Sequence, residues 1–277
     1  MSCRNSPSTA PRAGVLTVAL VAILQLHASP SAAGICGDDV EGARVACACG
    51  DIVVSDTTLR AGDPVASGRC PLDGLVVRAA PAAESITLDL GGLALVGEGF
   101  GHGILVERGG SDGAVIVGGA PGRKADIVGF ATGVTVPNPV ALRRLERVHV
   151  KGSRFDGLRI RQQGAHLIDV ESSNNGRDGM RVMGSGGRLI GVRTDGNGGA
   201  GVRSVGRGTV IEAESTNNRR TGILVHGSRG DAARSVATGN GGAGIVFSGG
   251  RHASDGASAG ANARGQVLAG PRREEQR

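Results

Sequence analysis

The sequence predicts an all-β solenoid of stacked coils, and three observations carry that expectation. Five glycines, Gly157, Gly179, Gly201, Gly222 and Gly244, recur at intervals of 22, 22, 21 and 22 residues, and a fixed period in this range marks a repeat architecture. Asn175, Asn197, Asn218 and Asn240 keep step with them, each a few residues ahead of the next glycine. Apolar residues follow the glycines in alternation: Leu158, Met180, Val202, Ile223 and Ile245, then, two positions on, Ile160, Val182, Ser204, Val225 and Phe247. That is the strand period of two with one face buried.

A coil of about 22 residues is too short for a strand–helix–strand unit, which needs roughly 30. It holds two or three strands of about 4–5 residues with their turns. Stacked coils place like strands side by side and parallel, about 4.8 Å apart, which is a single-stranded parallel β-helix. The asparagines are then expected to form a ladder at one bend, each amide bonding the coils above and below. A second apolar strand is read in each coil from Ile168 with Val170, Ile190 with Val192, and Ile211 with Ala213. Gly, Asn, Asp and Ser between the strands supply the positive φ and local hydrogen bonds of tight turns.

The repeated pattern, Asn followed after two or three residues by Gly, an aliphatic residue, any residue, then Ile or Val, resembles the right-handed parallel β-helix repeat proteins of the broad pectin-lyase-like class. The resemblance runs from roughly Leu72 to Gly250 and concerns the fold. Such folds carry lyases, hydrolases, epimerases, adhesins and proteins without known activity, so function has to be argued from sites.

Composition agrees with a narrow solenoid. Among 277 residues there are 50 glycines, four phenylalanines and neither Trp nor Tyr, too few aromatics for a layered globule. Residues 1–33 are read as a signal peptide. Arg4 and Arg12 give a positive start, Gly14 to Leu26 is an apolar run, and Ser31-Ala32-Ala33 offers a small-residue cleavage site. The run is too short for a membrane span. The expected location is secreted, either periplasmic or extracellular. Losing Arg4 and Arg12 lowers the formal charge from +6 to +4.

Residues 34–71 read as a Cys-rich N-terminal cap. Cys36, Cys47, Cys49 and Cys70 are an even set in an exported chain and are expected as disulfides. Cys47 and Cys49 are too close for a mutual bridge, so each pairs with Cys36 or Cys70; a zinc site does not fit the C-x-C spacing. Residues 72–250 form the β-helix. Its N-terminal half has longer coils, marked by Gly74, Gly103 and Gly133, with the extra residues in loops at 108–112 and 118–125. In repeat proteins such insertions often collect on the binding face. Residues 251–277 lose the pattern and read as a frayed last coil and tail.

Three constellations bear on function. Gly101-His102-Gly103 is similar to one signature piece of the polygalacturonase-like hydrolases, and Arg159-Ile160-Arg161 loosely resembles a second. Hydrolysis of a glycoside needs a pair of carboxylates, and the sequence lacks that class's "NTD" and "DD" pieces on neighbouring coils; its DD, Asp38-Asp39, lies in the cap. Arg159, Arg181 and Arg203 recur at one place in successive coils, facing outward, with Asp156 and Asp178 near enough to compensate them. Such a row is either a solvated charged face or a set of bidentate donors for the carboxylates or sulfates of an acidic polymer. Glu171, Arg193 and Glu214, with Asp169 and Glu212 beside them, form a mixed-charge column that suits register control. Resemblance to pectate-lyase-like enzymes would make an Arg or Lys the base and have acids hold calcium. Lys151, Arg154 and Asp169 lie nearby in sequence, but no motif assigns a catalytic residue.

The histidines have no metal-ligand spacing, so no metal or other cofactor is expected; calcium enters only with the lyase reading. Nucleic acid is not an expected partner, because the chain is exported and lacks stacking aromatics. The sequence favours an exported binding or structural surface for acidic polysaccharide or another envelope component. The alternative is a polysaccharide lyase or epimerase acting on uronic-acid polymers.

Overall fold

A computed structural model describes residues 33–79, 83–137, 142–265 and 267–269. The expected signal peptide lies outside the described residues except at Ala33. From Ile35 onward the chain winds as a parallel β-helix whose coils present three faces. The first face stacks Leu75–Arg78, His102–Arg108, Thr132–Val136, Leu158–Arg161, Met180–Met183, Val202–Val205, Ile223–His226 and Ile245–Ser248 in parallel. The second runs through Ser85–Asp89, Gly113–Val117, Leu142–Glu146 and His166–Ile168. The third runs through Ala94–Gly97, Ala125–Val128, Val148–Lys151 and Glu171–Ser173. Arg188–Asp195 is long enough to bend from the second face into the third.

The core is the inward column predicted from the alternation. Leu158, Met180, Val202, Ile223 and Ile245 are paired one above another and fully buried. Gly74, Gly103, Gly133 and Gly157 precede residues that are in register, Leu75, Ile104, Val134 and Leu158. The longer N-terminal coils therefore share the geometry of the shorter ones and differ in their turns.

The second apolar strand is placed differently from the sequence reading. Leu167, Leu189 and Ile211 point inward, while Ile168 is 37 % exposed and Ile190 is half-buried. The cause is a corner. Asp169 (φ 52) and Gly191 (φ 63) are left-handed, and one such residue resets the alternation. It also accounts for the odd interval. Ile190 pairs with Glu212 and Val192 with Ala213, so Gly191 has no counterpart and that coil is one residue shorter.

Both ends of the helix extend past the expected boundaries. The stretch read as a cap contributes strands to the ladder, since Ile35–Val40 pairs parallel with Asp51–Val53, which pairs with Leu75–Arg78. The end is covered by a hairpin, Ala43–Val45 running antiparallel on Ile35–Val40, and by the short helix Pro64–Ser67 with Val65 buried beneath it. Disulfides join Cys36 to Cys47 and Cys49 to Cys70. Arg44 clamps the hairpin to Asp63, 2.8 Å away and 1 % exposed. At the other end, His252–Ala253 and Ser258–Gly260 continue the ladder beyond residue 250.

Candidate functional site

The bend between the third and first faces builds the site. There Asn175 Nδ2 donates to Asn197 Oδ1 at 2.9 Å, Asn197 to Asn218 at 2.9 Å, and Asn218 to Asn240 at 3.0 Å. Each Oδ1 also accepts the backbone N–H of the preceding rung. The ladder has one more rung, Asn262, which accepts from the Asn240 amide at 2.9 Å and from its N–H at 3.0 Å. The sequence reading missed it because Gln266 stands where the other coils carry the marker glycine, although Val267 follows in register with Ile245. Every rung is buried except the half-buried Asn262, so the bend is rigid and keeps the turn after it in fixed register.

Three residues after Asn175 comes Asp178, and Asp156 holds the same place one coil earlier. Each carboxylate does two things. Asp156 Oδ1 accepts the Asp178 N–H at 3.2 Å, while its Oδ2 takes Arg159 at 2.9 Å. Asp178 Oδ1 accepts the Ala200 N–H at 2.9 Å, while its Oδ2 takes Arg203 at 2.6 Å, reaching across to a later coil. Arg159, Arg181 and Arg203 are in register on the first face. Two acids thus serve three arginines. Arg181, the middle one, has no ion pair among the described residues, and its Nε is buried without a hydrogen-bond partner there.

The outward column on this face reads Leu105, Thr135, Arg159, Arg181, Arg203, Leu224 and Val246. The charges fill three consecutive steps between neutral neighbours. His102 stands beside them, its Nδ1 2.9 Å from Thr135 Oγ1 and its backbone N–H donating to Asp73. Burial holds the His102 imidazole below its ordinary range; the charge of Asp73 opposes this and that of Arg159 adds to it. The two pieces that loosely resembled hydrolase motifs therefore share a face, but Asp38-Asp39 sits in the N-terminal hairpin and supplies no carboxylate to it.

Other sequence candidates fall elsewhere. Glu171, Arg193 and Glu214 are in register on the third face, with Arg193 3.6 Å from Glu171 and 3.3 Å from Glu214. Lys124, from the inserted loop, lies 2.7 Å from both Asp169 and Glu171. Burial acts to raise the Glu171 pKa, but Lys124, His149 and Arg193 more than offset it and leave it lowered. Each of these charges thus has an opposite partner. Lys151 pairs with Asp126 on the same face, and Arg154 lies over the Phe155 ring. Lys151, Arg154 and Asp169 do not gather around the arginine column. Among the described residues no group of three or more His, Cys, Asp or Glu side chains is placed to hold a metal ion. The acids nearest the column are each committed to an arginine and an amide, so the residues present do not make a calcium site there.

Comparison with known proteins bears on the fold. The family described as "Right handed beta helix region" matches residues 138–262. No curated protein matches the sequence. Among solved structures, pectate lyase Pel9A shares 15 % identity at a TM-score of 0.45, over 82 % of this chain and 71 % of that one. The A-module of Azotobacter vinelandii mannuronan C-5 epimerase AlgE4 shares 16 % identity at 0.32, over 79 % and 67 %. No helix among the described residues is long and apolar enough to cross a membrane. Coil by coil the described residues form a parallel β-helix, and over residues 138–262 the sequence matches the right-handed β-helix family.

Proposed function

We propose that the protein is an exported, non-catalytic binding surface for acidic polysaccharide, with the column Arg159, Arg181 and Arg203 as its contact. The observation that supports this reading is the shortfall of one carboxylate. Asp156 and Asp178 pair with their own arginines, and Arg181 between them has no ion-pair partner among the described residues. Arg181 stands in register between two arginines whose own charges are paired, so an incoming carboxylate or sulfate meets a guanidinium with no competing acid among the described residues. The column also lies on a face of regular strands, which offers a flat run of donors to an extended chain.

Retention of the purified protein on immobilised heparin, eluted with a salt gradient, tests the reading. Arg181→Ala is expected to elute at clearly lower salt. Asp156→Asn should elute later, since it removes a negative charge while its amide oxygen can still accept the Asp178 N–H. Unchanged elution of both variants would remove the column as the contact. The alternative, a lyase or epimerase of uronic-acid polymers, draws on His102 near Arg159, an imidazole whose pKa burial lowers. Incubation with pectate or alginate, with and without calcium, distinguishes a lyase: it would generate ultraviolet-absorbing double bonds, and none are expected.

A further inference from the structure

The turn after the ladder carries a second row of arginines with a different spacing. Two residues past each rung, and past Ser153 one coil before the first, the backbone stacks as Phe155, Arg177, Gly199, Arg220, Gly242 and Arg264. The N–H of each donates to the carbonyl of the one before, at 2.7–3.1 Å. Arginine therefore recurs at every second coil, about 9.6 Å apart. Glycine is required between them. A Cβ on Gly242 would lie 2.8 Å from the Thr221 nitrogen and the Arg220 carbonyl carbon. No side chain therefore fills the space between the Arg220 and Arg264 steps.

That space opens into a cleft of about 550 Å³ lined by Arg219, Arg220, Thr221, Gly242, Val246 and Arg264, among others. Among the described residues no carboxylate lines it. The positions that upstream coils fill with Asp156 and Asp178 are here Ala200, Thr221 and Ala243. Arg219, Arg220 and Arg264 are exposed, and none has a side-chain hydrogen bond or ion pair among the described residues. Three cations thus share one concavity from which the acids of the preceding coils are missing. Arg177 continues the row two coils away, with its guanidinium 4.7 Å from the Phe155 ring centroid.

We infer that this cleft is a second anion site, which takes an extended acidic oligosaccharide whose like-facing anionic groups recur once per disaccharide. Each of Arg220 and Arg264 can take one such group through paired donors. Their two-coil separation is comparable with the length of one disaccharide in an extended chain. Arg181 has no part in this site, which stands or falls apart from the column.

The test titrates the full chain, at low salt, with hyaluronan fragments, which carry one carboxylate per disaccharide. Affinity is expected to rise about tenfold or more between a fragment with one carboxylate and a fragment with two. Arg264→Ala should erase that increment and Arg220→Lys should reduce it, because lysine keeps the charge and loses the planar pair of donors. Arg181→Ala should leave it intact. Thermal melts followed by circular dichroism check that each variant is folded. An increment that is absent, or that survives both Arg220→Ala and Arg264→Ala, overturns the site. An increment lost only in Arg181→Ala also overturns it and assigns the binding to the column.

Discussion

At the scale of single residues, the marker glycines are required for close approach. A Cβ on Gly201 would come 2.1 Å from Ser215 Oγ and 2.7 Å from Asn218 Nδ2, and Gly157, Gly179 and Gly222 are crowded by ladder amides in the same way. None of these four has a positive φ. One left-handed residue of each coil sits just before the rung, or before Ser153 in the rung's place: Gly152, Asn174, Gly196, Asn217, Gly239 and Ala261, with φ between 51° and 67°. Glycine adopts that conformation freely and asparagine does so tolerably. Alanine does not, and the left-handed region costs it roughly 1–2 kcal/mol. Ala261→Gly is therefore expected to stabilise the last coil by about 1 kcal/mol, the strain relieved being partly offset by the greater freedom of an unfolded glycine. Urea unfolding of the two proteins side by side checks the sign.

At the scale of elements, the ladder and the inward column were legible in the sequence because each recurs at every coil with the same residue type. The second and third faces were less so. Ile168 and Ile190 looked like core from their alternation with Val170 and Val192, yet one left-handed residue turns them out, and nothing local in the sequence marks Asp169 as that residue. The arginine column was visible at one-coil spacing, but the row Arg177, Arg220 and Arg264 was hidden because its period is two coils. The ladder's weight can be measured at Asn197. Its replacement by alanine leaves the buried Asn175 N–H without its acceptor and takes one acceptor from the Asn175 amide. It also removes the donation to Ser172 O. With roughly 1–3 kcal/mol for each unsatisfied buried group, Asn197→Ala should cost about 2–4 kcal/mol in chemical denaturation. Asn262→Ala, at a half-buried rung, should cost less. Equal costs would mean that the ladder is only a row of turn residues.

At the scale of the whole molecule, a solenoid is held by contacts between neighbouring coils, so its ends decide where it opens. The two disulfides sit together at the N-terminal end, with Cys36, Cys47 and Cys70 buried in the same core as Val53 and Val65. They tie the covering hairpin and the first turns to strands that the rest of the ladder grows from. Cys49–Cys70 closes a loop of 21 residues, and cross-linking a loop of that size is worth about 3 kcal/mol, chiefly through the unfolded chain. Replacing both cysteines by serine should therefore lower stability by about 3 kcal/mol. It should do so unevenly, because each coil touches only its neighbours. Hydrogen exchange of the native protein is expected to show faster opening of the amides in Ile35–Val40, Asp51–Val53 and Arg69–Cys70, with Arg188–Asp195 and Val202–Val205 keeping most of their protection. Equal loss of protection at both ends would show that the coils unfold as one cooperative unit, with the N-terminal staple stabilising the whole helix.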